Sequence, residues 1–200
     1  MKTPPRIALF ASGSGSNAQH IVEYFAGTGL LEISAIYCNN PDAYVLERAK
    51  LLGIPAVLFN RDSFYNSTVM LDDLKKRKTD WIILAGFLWL IPDPVLKAFP
   101  QRIINIHPAL LPEYGGKGMY GMKVHKAVIA SGDKESGITI HYVNEHYDKG
   151  NIIFQAHCPI NSQDTPEILA EKIHELEYEH FPVVIGKLVA GGEVNRKVFV

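Results

Sequence analysis

Asn105-Ile106-His107-Pro108 closes an apolar run of strand character. The proline ring disfavours helix at the residue before it, so His107 is extended. Alternate residues of an extended chain share a face, which projects Asn105 and His107 together and sends Ile106 the other way. An amide donor beside an imidazole suits a developing oxyanion and a proton transfer. Without further support the same pair reads as a polar strand end bonded to its own loop. Asp148-Lys149-Gly150 is a common turn sequence. If that turn folds over the strand ends, its carboxylate would favour the charged form of His107 and fix the ring. A third group, Ala11-Ser12-Gly13-Ser14-Gly15-Ser16-Asn17, joins small residues to a predicted helix start. Free N–H groups there favour an anion, and glycine lets the backbone approach it. Gly13-x-Gly15-x-x-Ala18 also meets a loose dinucleotide fingerprint, which wants an acidic residue ~20 positions on. The second predicted strand ends instead in Cys38-Asn39-Asn40. A phosphate monoester fits better than a dinucleotide.

Metal chemistry is not indicated by spacing. His174-Glu175 resembles the start of a zinc-binding helix, but the next histidine is His180, on another face. Both are expected on the surface of an amphipathic helix, and no metal site is expected.

The elements that must position these groups alternate. Strands are expected over 7–11, 33–38, 56–58, 81–85 and 102–106, and helices over 17–26 (with Asn17 as cap), 43–52 and 63–78. Such a rhythm means parallel strands with crossover helices. Beyond Gly132 the pattern becomes two alternating runs, 137–143 and 152–158, around a polar turn. That is a hairpin continuing the sheet antiparallel. A helix over 165–189 and a short tail over 194–200 follow. The expectation is an α/β fold with a doubly wound, mostly parallel sheet and a C-terminal antiparallel hairpin, over residues 1–200 as one domain.

Composition narrows the partners. Twenty basic residues nearly cancel 21 acidic ones across the 200-residue chain, so no basic excess exists to hold a nucleic-acid backbone. Cys38 and Cys158 are too few for a disulfide framework and read as buried thiols in a reducing compartment. The longest apolar run, 81–91, is about half of the ~20 residues of a membrane span. The N-terminal sequence shows no signal-peptide pattern. A cytoplasmic protein without membrane or nucleic-acid partners is expected.

Taken together, Gly13-Ser14-Gly15-Ser16-Asn17, Leu84-Ala85-Gly86-Phe87, Asn105-Ile106-His107-Pro108-Ala109-Leu110-Leu111-Pro112 and Asp148-x-Gly150 resemble the phosphoribosylglycinamide formyltransferase family in order and spacing. The resemblance covers essentially the whole chain. It implies a Rossmann-like formyltransferase fold and transfer of a formyl group from 10-formyltetrahydrofolate to 5-phosphoribosylglycinamide, by direct amine attack and without metal. It implies that Asn105, His107 and Asp148 are catalytic. Gly15, Ser16 and Asn17 would hold the phosphate and Glu177 the glycinamide end. The folate would meet Arg61, Leu88, Trp89, Leu90 and Ile91, and also Asn105, Asn144, Glu145, His146, Tyr147 and Asp148. The partners are then two small molecules, and the chain is a monomer or a homodimer. Trp89 stands where relatives often carry arginine, and the glycine-rich stretch 114–122 is longer than in many of them. That stretch is expected to be a mobile substrate lid. Two alternatives use some of the same residues: a formyltetrahydrofolate hydrolase, in which water replaces the amine, and a non-catalytic nucleotide-binding module using the glycine loop alone.

Overall fold

The structure, a computed structural model, describes residues 3–194 and 197–199. The chain divides into two compact units, Met1–Ile104 and Asn105–Val200. In the first, β1 (Arg6–Ala11), α1 (Ser16–Phe25), β2 (Glu32–Cys38), α2 (Val45–Leu51), β3 (Ala56–Leu58), α3 (Arg61–Tyr65), α4 (Val69–Lys76), β4 (Trp81–Leu84) and α5 (Asp93–Ala98) follow one another. The strands lie in the order β3-β2-β1-β4, and each pairing is parallel. Ile7, Ala8, Leu9, Phe10 and Ala11 are all fully buried, as a strand covered on both faces requires. Cys38 is buried, and burial pushes its thiol up.

One helix was expected over 63–78, and the structure has two. Asn60 caps α3 and forms a capping box with Ser63. Downstream, the Ser67 hydroxyl donates to the Ser63 carbonyl and Asn66 donates to Asp62. These short polar side chains compete with the helical ladder and break it between Tyr65 and Val69. α5 was not expected at all. Pro92-Asp93-Pro94 ends the apolar run, but proline in the first turn costs a helix nothing, and here Pro92 is the cap and Pro94 the second residue of the helix.

β5 (Ile103–His107) carries the chain into the second unit, followed by α6 (Met122–Ser131), β6 (Glu135–Tyr142), β7 (Ile152–Pro159), α7 (Pro166–Val189) and β8 (Lys197–Phe199). β6 and β7 form the expected antiparallel hairpin, and β8 joins β7 in parallel. α6 was also unexpected: its start falls within the glycine-rich stretch, but Val124, His125 and Val128 are buried on one face. Thr165 caps α7 with its side chain, and the helix runs on through Pro182. His180, expected on the surface, is only partly exposed and packs its ring 5.1 Å from that of Phe154. Among the described residues no helix is long and apolar enough to cross a membrane.

The candidate active site

The glycine loop lies wholly in the first unit. α1 begins at Ser16, and its cap is Gly15 in the left-handed conformation, φ 75°, rather than Asn17. Packing explains the difference. A Cβ on Gly15 would sit 2.3 Å from Cγ2 of Val45, at the start of α2. The glycine is therefore demanded by helix packing as well as by any ligand. Ser16 and Asn17 open the helix half-buried, and the first amides of a helix have no intrahelical acceptor. The loop is braced from several sides: the Val45 amide donates to the Gly13 carbonyl at 3.1 Å, and Arg48 Nε donates to the Ser14 carbonyl at 2.8 Å. Arg48 also bonds Gln19 and lies over the Tyr44 ring. A guanidinium thus stands beside a loop that has no cation of its own.

The Ser12 hydroxyl accepts from the Leu88 amide at 3.1 Å, tying the loop to the stretch 88–91. There Leu88 is exposed and Ile91 buried. The Tyr65 hydroxyl donates to the Leu90 carbonyl at 2.9 Å. Trp89 sits at the margin of an aromatic cluster with Phe59, Phe64 and Phe87. The Arg61 guanidinium lies 5.0 Å from the Trp89 ring centre and 5.8 Å from that of Tyr65. Arg61 and Trp89, singled out separately in the sequence, are one cation–aromatic stack.

The second unit gathers the titratable groups. His107 is buried at the end of β5, with Nδ1 3.6 Å from Asp148 Oδ2 and Nε2 2.9 Å from the Tyr114 carbonyl. Asp148 also accepts from the Gly116 amide at 2.9 Å. Its other oxygen lies 3.6 Å from Nε2 of His141, which is 3.1 Å from the Asn105 amide nitrogen. His107 and Asp148 are at ion-pair rather than hydrogen-bond distance, and Asn105 reaches Asp148 only through His141. The other ring nitrogen of His141, Nδ1, donates to the Tyr142 carbonyl at 2.8 Å. His141 Nε2 thus lies between the Asn105 amide and the Asp148 carboxylate.

Sequence reasoning missed His141. The available signal was the strand period: Thr139 and His141 are two apart on β6, and both are buried polar residues. Thr139 supports the segment after β5, accepting from the Leu111 amide and donating to the Ala109 carbonyl, while Gln155 donates to the Leu111 carbonyl and to Thr139.

Burial pushes the His107 imidazole below its usual range, against the pull of the Asp148 carboxylate and the Tyr114 carbonyl. The hydrogen bond from Nε2 to the Tyr114 carbonyl is open to the neutral ring as well, while the Asp148 carboxylate favours the charged one. Burial works against the Asp148 carboxylate too, but the His141 contact, the charge of His107 and the Gly116 amide hold it below the ordinary range. Asp148 and Tyr114 are both non-glycine residues with φ near +55°, which costs each ~1–2 kcal/mol. Gly150 is fixed by contact: a Cβ there would lie 1.6 Å from the Tyr142 carbonyl oxygen. In the same turn the Asn144 side chain accepts from the His146 amide, Glu145 and His146 are exposed, and Tyr147 is half-buried. Glu177 is buried on α7. The stretch 114–122 is not a free lid from end to end, because Tyr114 and Gly116 belong to the His107–Asp148 cluster and Met122 opens α6. Among the described residues no group of three or more His, Cys, Asp or Glu is placed to hold a metal ion.

The formyl transferase family model matches residues 5–185. The chain is 41% identical over 189 residues to the chloroplastic phosphoribosylglycinamide formyltransferase of Arabidopsis thaliana, covering 92% of this chain and 65% of that one. It is 37% identical to the phosphoribosylglycinamide formyltransferase of Bacillus subtilis, covering 92% of this chain and 94% of that one. The chain thus spans just under two thirds of the plant protein and nearly all of the bacterial one. The crystal structure of the phosphoribosylglycinamide formyltransferase from Anaplasma phagocytophilum superposes with a TM-score of 0.87 at 29% identity, over 98% of each chain.

Proposed function

We infer that this chain, which belongs to the formyl transferase family, transfers the formyl group of 10-formyltetrahydrofolate to the amine of 5-phosphoribosylglycinamide, a step of purine biosynthesis. The observation that carries this reading is the buried Asn105–His141–Asp148–His107 chain of polar contacts. The amine nitrogen attacks the formyl carbon, and the carbonyl oxygen gains negative charge. Asn105, held against His141, turns an amide N–H to that oxygen. His107 in its charged form stabilises that oxygen through its nearby positive charge, and Asp148 offsets the burial that opposes this charge. Collapse breaks the bond from carbon to N10, the amine loses a proton and N10 gains one. N10 is an aniline-type nitrogen that leaves poorly until protonated, so Asp148 serves as the relay.

Gly15, Ser16 and Asn17 bind the phosphate through backbone amides, with the charge of Arg48 beside them, and Glu177 binds the glycinamide end. Arg61 and residues 88–91, with Asn105 and residues 144–148, bind the folate. This reading takes residues 1–200 as one catalytic domain, working in the cytoplasm as a monomer or homodimer on two small molecules. It uses no metal, nucleic acid or membrane.

A simple order-of-addition assay tests it. With 10-formyltetrahydrofolate alone, little tetrahydrofolate should appear; adding the ribonucleotide should start rapid turnover and yield the formylated product. Positioning of the amine can lower a barrier by ~7–11 kcal/mol, so water should compete poorly. Steady formate release that ignores the amine would instead identify a hydrolase.

A further inference from the structure

The turn at 114–116 touches both members of the His107–Asp148 pair. The Tyr114 carbonyl accepts from His107 Nε2 and the Gly116 amide donates to Asp148 Oδ2, each at 2.9 Å. Both are backbone groups, so their aim is set by the conformation of the turn. That conformation is not the resting preference of its sequence, since Tyr114 has φ 55°. The turn is half-buried, with Gly115 against Leu111 and Asp148, while Lys117, Gly118 and Tyr120 beyond it are exposed. Its anchor is the phenol of Tyr114, hydrogen-bonded to Asp133 Oδ2 and 2.7 Å from the Ser131 hydroxyl. Ser131 is itself fixed, donating to the Val128 carbonyl and accepting from the Asp133 amide. The side chain thus ends on the last turn of α6 while its own carbonyl ends on His107.

We propose that Tyr114 is a positioning residue: its phenol, latched to Ser131 and Asp133 at the end of α6, holds the turn that aims His107 and Asp148 at each other. The proposal rests on the reading that His107 and Asp148 do the chemistry. The phenol touches no reacting atom, and its effect passes through the two backbone groups. The titratable groups facing His107 are Asp148, His141 on β6 and His125 on α6. Of these only Asp148 favours the charged ring, and the Tyr114 carbonyl supports it. Losing the carbonyl leaves burial less opposed, so His107 would titrate at lower pH.

Tyr114→Phe in the full chain removes the latch and keeps the ring. The imidazole signals of His107, followed by nitrogen NMR across pH, should move to a lower midpoint. Turnover should fall on the order of tenfold, as expected when a reacting group is displaced by a fraction of an ångström. Both KM values should stay within about twofold, since no substrate contact is lost. Asp133→Asn, which leaves Tyr114 intact but weakens its acceptor, should give the same pattern in smaller measure, and it decides alone if Tyr114→Phe does not melt like the parent. An unchanged His107 midpoint with unchanged kcat, or a loss carried by KM, overturns the latch. His107→Ala run alongside keeps the two ideas apart. If that variant retained turnover the catalytic reading would fall, while the His107 titration in Tyr114→Phe would still decide the latch.

Discussion

The glycine loop of the first unit and the His107 cluster of the second present polar groups in opposite ways. The loop is made of backbone. Its serines are small, Gly13 and Ser14 are exposed, and the decisive glycine, Gly15, is fixed by Val45 on α2. The cluster is made of side chains from β5, β6 and the 144–151 turn, with His107 and His141 buried and Asp148 nearly so. A backbone site survives changes of side chain but fails when the fold shifts. A side-chain site keeps its fold through a substitution and loses its chemistry.

That contrast can be broken most sharply at His107. His107→Ala should lower kcat by a factor of ~10²–10⁴, the usual worth of a positioned acid–base group, while its melting curve still shows a folded protein. Near-normal turnover would remove His107 from the mechanism. The loop should answer the other way. Gly15→Ala adds an atom in contact with Val45 at positive φ and should destabilise by ~2–4 kcal/mol, seen as a lower Tm. Gly13→Ala meets open space and should stay within ~0.5 kcal/mol of the parent. Equal losses at the two glycines would mean that helix packing is not what fixes Gly15.

The smallest effect concerns acid stability in the second unit. Burial, with repulsion from His174 and His107, lowers His125 from its ordinary 6.5 to about 4. The folded state therefore binds fewer protons than the unfolded one between these values. Stability from His125 is complete above pH 6.5 and drains as pH falls towards 4. His125→Leu should flatten that part of the denaturant midpoint against pH; an unchanged slope would place the proton elsewhere.

The strands and the hairpin were legible because their apolar runs are long and cleanly bounded. The helices were less so. α5 hid behind Pro92-Asp93-Pro94, which reads as a stop and serves as a start. α6 hid behind a glycine-rich stretch whose first residues do another task. Asn105 and His107 were legible as a polar pair through residue type and a two-residue spacing, whereas Asp148 read by itself as an ordinary turn and gained its role from the family resemblance. His141 was not legible, because its meaning comes from a partner on another strand and no local spacing announces it. The fixing of Gly15 by Val45 is likewise a tertiary fact: the sequence shows a glycine but not the helix against it.

The Arg61–Trp89 stack has an optical consequence. The chain has two tryptophans, Trp81 and Trp89. Both are partly covered; Trp81 lies in β4, and Trp89 has a guanidinium over its ring. Indole emission responds to nearby charge and to water, so anything that moves Arg61 or displaces solvent from residues 88–91 changes the fluorescence of Trp89. With Trp81 replaced by phenylalanine, the protein reports on the occupancy of that surface with its own light, and needs no attached dye.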